Sequence, residues 1–192
     1  MIEEFTVKNV HKIAVISDTH VPDRFDALRE QVFDEFQGVD LVLHAGDATD
    51  FSVIQDLRGI AEVIAVYGNM CNNSMRDEVP FKCIIHVGNF KIGLIHGHGF
   101  SPHALQKSLL EEFKRDGFTP DCIVYGHTHI PQNEIIDGVL FFNPGAGNPP
   151  TNGLPTSVGF LDIDSVITGQ IVPLIIPEPE VVEPLEEEDD DE

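Results

Sequence analysis

Three short β-branched runs, His11–Ser17, Asp40–His44 and Val63–Tyr67, constrain this 192-residue chain most. Each is too short for a buried helix and is bounded by polar or glycine-containing turns, so each reads as a buried strand. Between the first two, Ala27, Leu28, Val32, Phe33 and Phe36 recur at helical spacing and Gly38 closes the segment. A second helix is expected over Phe51–Leu57, with Gly59 as its stop. This β-α-β-α-β rhythm implies parallel strands joined by right-handed crossovers.

The rhythm changes after Pro80. Phe81–Val87 and Phe90–Ile95 flank Gly88-Asn89, a hairpin turn. Ser101-Pro102 starts a helix over roughly 103–116. Cys122–Tyr125 is another buried strand, and strand-like pieces follow at 133–137, 139–143, 157–163 and 166–174. Alternation in front and antiparallel pieces behind predict an α/β fold of two packed sheets with helices outside. Residues 1–176 form one domain. From Pro177, Pro-Glu alternation and a run of acids cannot bury apolar surface, which predicts a disordered acidic tail over 177–192.

Charge narrows the partners. The chain carries 33 acidic and 11 basic residues, a formal net charge of −22. No Lys or Arg follows Arg115, and no basic cluster exists to neutralise a phosphate backbone. Extended nucleic acid and anionic membrane surfaces are therefore excluded as partners. Nor is there an apolar run of roughly 18 residues that could span a bilayer. Met1-Ile2-Glu3-Glu4 is acidic and lacks the apolar stretch of a signal peptide. Three scattered cysteines, Cys71, Cys83 and Cys122, suit reduced thiols in a cytoplasm. A homo-oligomer is compatible with all of this.

Acids and histidines fall where the strands end. Asp18-Thr19-His20 ends the first, Gly46-Asp47 the second and Gly68-Asn69 the third. His96-Gly97-His98 and Gly126-His127-Thr128-His129 end two later ones, so these segments hold five of the nine histidines. Ligands of open α/β sheets gather outside the carboxyl ends of strands, so the five segments point at one crevice. Asp18/His20 and His127/His129 are i, i+2 pairs, which in an extended segment lie on one side and can share a centre. Mixed oxygen and imidazole donors suit a borderline divalent ion: Mn, Fe, Co, Ni or Zn. The donors outnumber the needs of one ion, and two ions bridged by one carboxylate would use them all. His44 follows an apolar run and reads as a structural or supporting residue; His11, His86 and His103 read as ordinary polar residues.

The ordered series Asp-x-His, Gly-Asp, Gly-Asn, His-Gly-His, Gly-His-x-His resembles the signature of the calcineurin-like metallophosphoesterases. The small YfcE-like phosphodiesterases are the nearest group, and the retromer subunit of the same fold is also similar. Asn143-Pro144-Gly145-Ala146 looks like the Asn-Pro-Gly-Ser segment of that group, and the resemblance covers roughly residues 10–175. It implies a four-layer αββα sandwich. It implies one metal on Asp18, His20, Asp47 and His129, and a second on Asp47, Asn69, His96 and His127, with Asp47 as the bridge. Manganese is the first expectation for both. His98 is placed in the supporting layer or at the substrate. The activity implied is hydrolysis of a small phosphodiester by in-line attack of a metal-activated water.

One departure stands out. Many superfamily members have Gly-Asn-His followed by Asp or Glu, the His being the acid for the leaving group, whereas this chain reads Gly68-Asn69-Met70-Cys71. Either the leaving group needs little help or His98 supplies the proton, which makes Asp47, Asn69 and His98 the catalytic candidates. Arg24 and Arg76, in loops after two of the motifs, are candidate phosphate contacts. The alternative reading is a catalytically weak or inactive protein-binding scaffold of the same fold.

Overall fold

The computed structural model describes residues 2–149 and 153–175; the acidic tail expected over 177–192 lies outside them. Chain order is β1 (Glu3–Val7), β2 (Lys12–Ile16), α1 (Glu30–Glu35), β3 (Leu41–His44), α2 (Ser52–Leu57), β4 (Glu62–Ala65) and α3 (Asn73–Glu78). There follow β5 (Lys82–Val87), β6 (Phe90–Ile95), a 3-10 turn (Pro102–Ala104), α4 (Leu105–Arg115) and β7 (Cys122–Val124). The last four strands are β8 (Gln132–Ile136), β9 (Val139–Asn143), β10 (Ser157–Ile163) and β11 (Ile167–Pro173).

The strands form two mixed sheets, ordered β1-β5-β6-β7-β9-β8 and β11-β10-β2-β3-β4. Within the second, β2, β3 and β4 run parallel, as the sequence rhythm predicts. Within the first, β6 and β7 run parallel. Period-two alternation then sorts each apolar run into two faces. Ile13, Val15, Leu41, Leu43 and Ile64 point inward and meet Cys83, Ile85, Ile92, Leu94, Cys122 and Val124 of the other sheet. Ala14, Ile16, Val42 and Val63 point outward, onto Val32 of α1 and Val53, Ile54 and Leu57 of α2. On the far side, Ile84, Ile95, Ile123 and Phe141 pack on Leu105, Leu109 and Phe113 of α4. Strands covered on both faces have no reason to alternate with polar residues, which is why they read as unbroken apolar runs. The layers are thus helix, sheet, sheet and helix, as expected.

Three details differ from the sequence reading. The first helix begins at Glu30 rather than near Ala27; Leu28 is buried ahead of an extended Arg29 cap. The chain before it is spent on a turn, with the Arg24 amide donating to His20 O at 2.8 Å. Second, β1 was not anticipated; it is an edge strand parallel to β5, with only Phe5 and Val7 leaning on the inter-sheet core. Third, the polar segment Asn73–Glu78 is a helix, capped by Asn72 Oδ1 accepting from the Met75 amide at 2.7 Å. No helix among the described residues is long and apolar enough to cross a membrane. All three cysteines are buried and unpaired.

Candidate metal centre

Parallel register puts the carboxyl ends of β2, β3 and β4 side by side, and those of β6 and β7 likewise. Bonds across the seam bring the two rows together. The His127 amide donates to Asp18 Oδ2 at 3.0 Å and His96 Nδ1 to Ala45 O at 2.8 Å, while within the second row the Gly126 amide donates to His96 O at 3.1 Å. The donor atoms of Asp18, His20 and His129 all lie within 4.8 Å of one another, as do those of Asp18, Asp47 and His96. Asp18 is common to both groups. His127 stands next to His96, ring centroids 5.2 Å apart; it and Asn69 are both exposed and lie outside the two donor groups.

The i, i+2 pairs do not lie on extended backbone. Asp18, His20, His127 and His129 all have positive φ, between 51° and 65°, and Asp47 is at 57°. Each left-handed non-glycine residue is disfavoured, by about 1–3 kcal/mol, unless its surroundings hold it. The twist sends the two histidines of the last motif apart, His129 toward Asp18 and His20 and His127 toward His96. Tightness also needs glycine at two neighbours: a Cβ at Gly68 would overlap the Asp47 carboxylate, and one at Gly126 would overlap Ser17 Oγ.

Asp18, Asp47 and His96 are each anchored at one atom and leave another free. Asp18 Oδ2 accepts from Ser17 Oγ at 2.5 Å and from the His127 amide, while Oδ1 is buried with no hydrogen-bond partner. Asp47 Oδ1 accepts from the Met70 amide at 2.8 Å, leaving Oδ2 3.2 Å from His96 Nε2. His96 Nδ1 donates to Ala45 O, so in the neutral ring Nε2 holds the lone pair, and that atom too is buried and without a hydrogen bond. With no ion bound, burial lowers this imidazole, but Asp18 and Asp47 outweigh it and hold it above its ordinary value. Buried polar atoms are seldom left this way. The orphaned carboxylate and imidazole atoms, mixed oxygen and nitrogen in a crevice with no Lys, are a donor set that fits divalent cations.

Electrostatics agree. Burial pushes the Asp18 carboxyl up, but His96, His129 and Ser17 outweigh it and hold it below its ordinary value. Asp47, likewise opposed by burial, is brought down to about 2 by His96 and the Met70 amide. Burial lowers the imidazoles of His20, His98 and His127 and so favours their neutral, ligating form. His44 is fully buried, accepts from the Gly46 amide at Nδ1 (3.2 Å) and therefore donates from Nε2 to Thr19 Oγ1 (3.2 Å). Burial depresses it to about 4, and it supports the Thr19 loop without facing the crevice.

The remaining candidates divide. His98 is half-buried beside His96 and His127, with Phe81 edge-on at 5.3 Å and its Nδ1 unpartnered. Arg76, in the last turn of α3, donates to the carbonyls of Cys71 (3.0 Å), Asn69 (3.0 Å) and Gly68 (3.4 Å) and lies over the Tyr67 ring. It braces the loop that carries Asn69. Arg24 is exposed near His20. Cys71 is buried, its Sγ accepting from the Gly68 amide, while Met70 projects outward, 40% exposed. Sequence reasoning missed Ser17 and Asn148, which carry no motif of their own; only their place beside Asp18 and after Asn143 hinted at them.

Residues 12–166 match the calcineurin-like phosphoesterase superfamily domain. A probable metallophosphoesterase of Methanocaldococcus jannaschii is 36% identical over 84% of this chain and 81% of its own length. A phosphodiesterase from the same organism is 30% identical, over 84% of this chain and 98% of its own. In structure the chain is similar to Vps29 of Entamoeba histolytica in complex with Zn2+, with a TM-score of 0.68 and 26% identity over 84% of this chain and 98% of that one. With a two-sheet fold, a convergent oxygen and imidazole donor set and a match that spans most of its length, the chain belongs to the calcineurin-like phosphoesterase superfamily and is a metal-dependent phosphoric ester hydrolase.

Proposed function

We propose that this protein is a dinuclear phosphodiesterase acting on a small phosphodiester. Asp18, His20, Asp47 and His129 hold one divalent ion, Asp47, Asn69, His96 and His127 the other, and Asp47 is shared. Manganese is the first choice, with Fe, Ni, Co and Zn chemically compatible. When bound, the ions lower the pKa of a water toward neutrality and offset the charge that accumulates on the phosphoryl oxygens. The chain's own residues do the rest. Asp18 and Asp47, each pinned by one oxygen, present the other in a fixed direction. His98, whose ring lies beside those of His96 and His127, is assigned the proton for the leaving oxygen. Arg24 and the free edge of the Arg76 guanidinium are assigned the approaching phosphate.

The observation that carries this reading is a set of unsatisfied donors gathered in one crevice: Asp18 Oδ1 and His96 Nε2, buried without a hydrogen bond, and His20 Nε2, which faces His129 Nε2. Charge supports the substrate class: at −22 overall, the surface repels large polyanions, while the ions admit a small one. The buried thiols support a cytoplasmic setting. The test is turnover of an aryl phosphodiester after reconstitution with Mn2+, with metal content measured on the same sample. Turnover that disappears in Asp47→Asn supports the enzyme. Metal bound without turnover supports the second reading, a binding scaffold, which the exposed Met70 at the position after Asn69 favours.

A further inference from the structure

We infer that the segment Asn143–Asn148 is a positioning strap that holds both strained ligand loops, and that Asn143 and Asn148 are its working side chains. The inference rests on the metal-centre reading above. Asn143 is fully buried at the end of β9. Its Nδ2 donates to Gly126 O at 2.9 Å and lies 3.0 Å from Thr128 Oγ1, on either side of His127 and just ahead of His129. Its Oδ1 accepts from the Gly145 amide at 2.9 Å, which fixes the side chain's orientation. Five residues on, Asn148 is 2% exposed and its Nδ2 donates to Thr19 O at 2.7 Å, between Asp18 and His20. Between them, the Gly147 amide donates to Ser17 O at 2.8 Å.

One six-residue stretch thus bonds to two loops that are more than a hundred residues apart. Those loops supply Asp18, His20 and His129, the three members of one donor cluster. They also supply four of the left-handed residues, a conformation that persists only where neighbouring groups over-determine it. Thr19 O and Gly126 O are backbone atoms of those strained loops, so the two Asn amides act where the twist would otherwise relax. The strap itself is seated from outside: Ser157 Oγ donates to Pro144 O at 2.5 Å, and the Ser157 amide to Ala146 O at 2.9 Å. The Asn side chains touch no donor atom of the crevice. Their effect is to set the distance between His129 and the Asp18/His20 pair before any ion arrives.

The test uses the full chain stripped of metal, with Asn143→Ala, Asn148→Ala and, as a control for general destabilisation, Leu109→Ala in the remote core beneath α4. Amide hydrogen exchange is read at His20 and Thr128 in the metal-free proteins, and Mn2+ affinity by titration calorimetry. The expected result is faster exchange at those amides and Mn2+ affinity lower by about tenfold or more in both Asn variants, with neither change in Leu109→Ala beyond its global destabilisation. Asn variants that lose stability yet keep local exchange and affinity like the control would overturn the inference. A wild-type chain that binds no Mn2+ would instead sink the metal-centre reading, while the exchange data still decide the strap. If an Ala variant fails to fold, Asn143→Ser and Asn148→Ser, which leave less of a void, take its place.

Discussion

His20 Nε2 and His129 Nε2 face each other at 3.4 Å, across the seam between the two ends of the chain. Two ring nitrogens in that position can share a proton only if one imidazole turns donor, which leaves Asp18 Oδ1, 3.1 Å from His129 Nε2, still without a hydrogen bond. A cation satisfies all three atoms at once.

Metal should therefore stabilise the fold. At a hundredfold excess over Kd the gain is about 2.7 kcal/mol, a rise in Tm of about 5–10 °C for a chain of this size. Differential scanning fluorimetry with Mn2+ against EDTA measures it. His129→Ala should lose most of the rise, and a full rise in that variant would remove His129 from the ligand set.

The two glycines that permit close approach give a steric test. Gly126→Ala drives a methyl into Ser17 Oγ and to 2.7 Å from Asp18 Oδ2, and Gly68→Ala drives one into the Asp47 carboxylate. Each should cost about 1–3 kcal/mol in stability from overpacking and abolish turnover. Denaturant melts and assays on the same samples check both, and normal activity in either would mean that the carboxylates are free to move.

Leaving-group chemistry tests His98. With no His after Asn69, an alkyl diester depends on His98 for a proton, whereas a nitrophenyl leaving group does not. His98→Ala should slow the alkyl substrate by about a hundredfold and the aryl substrate little. Equal rates on both esters, unchanged by the substitution, would exclude His98 as the acid.

His44 predicts a pH dependence of the metal-free protein. Its folded value of about 4 lies below the ordinary 6.5, so the unfolded chain takes up the proton first. Stability from this group is full above pH 6.5 and is lost as pH falls from 6.5 toward 4, by about 3 kcal/mol in total. His44→Asn, which keeps an acceptor for the Gly46 amide, should flatten that part of the curve of ΔG against pH. An unaltered slope would assign the acid sensitivity to other groups.

The strands were legible because both their faces are covered: β2 and β3 had to be continuous apolar runs. An edge strand such as β1, half solvated and acidic, leaves no such trace, and α3 is a polar helix written only in its Asn72 cap. At the centre, residue type and strand-end position were enough to gather Asp18, His20, Asp47, His96 and His129. Backbone handedness was hidden. Nothing in Gly-His-x-His says that His127 and His129 part company, because the left-handed turn between them is enforced by Asn143 and by Gly126, through contacts distant in sequence.

The crevice's proposed donors hang from both sheets: Asp18, His20, Asp47 and Asn69 follow β2, β3 and β4, while His96, His127 and His129 follow β6 and β7. An ion seated there is a clasp at one end of a hinged book. The inter-sheet core binds the two covers along their length, but the clasp keeps the fore-edge shut. Chelation should then be felt first as breathing between the covers at that end, well before either sheet frays.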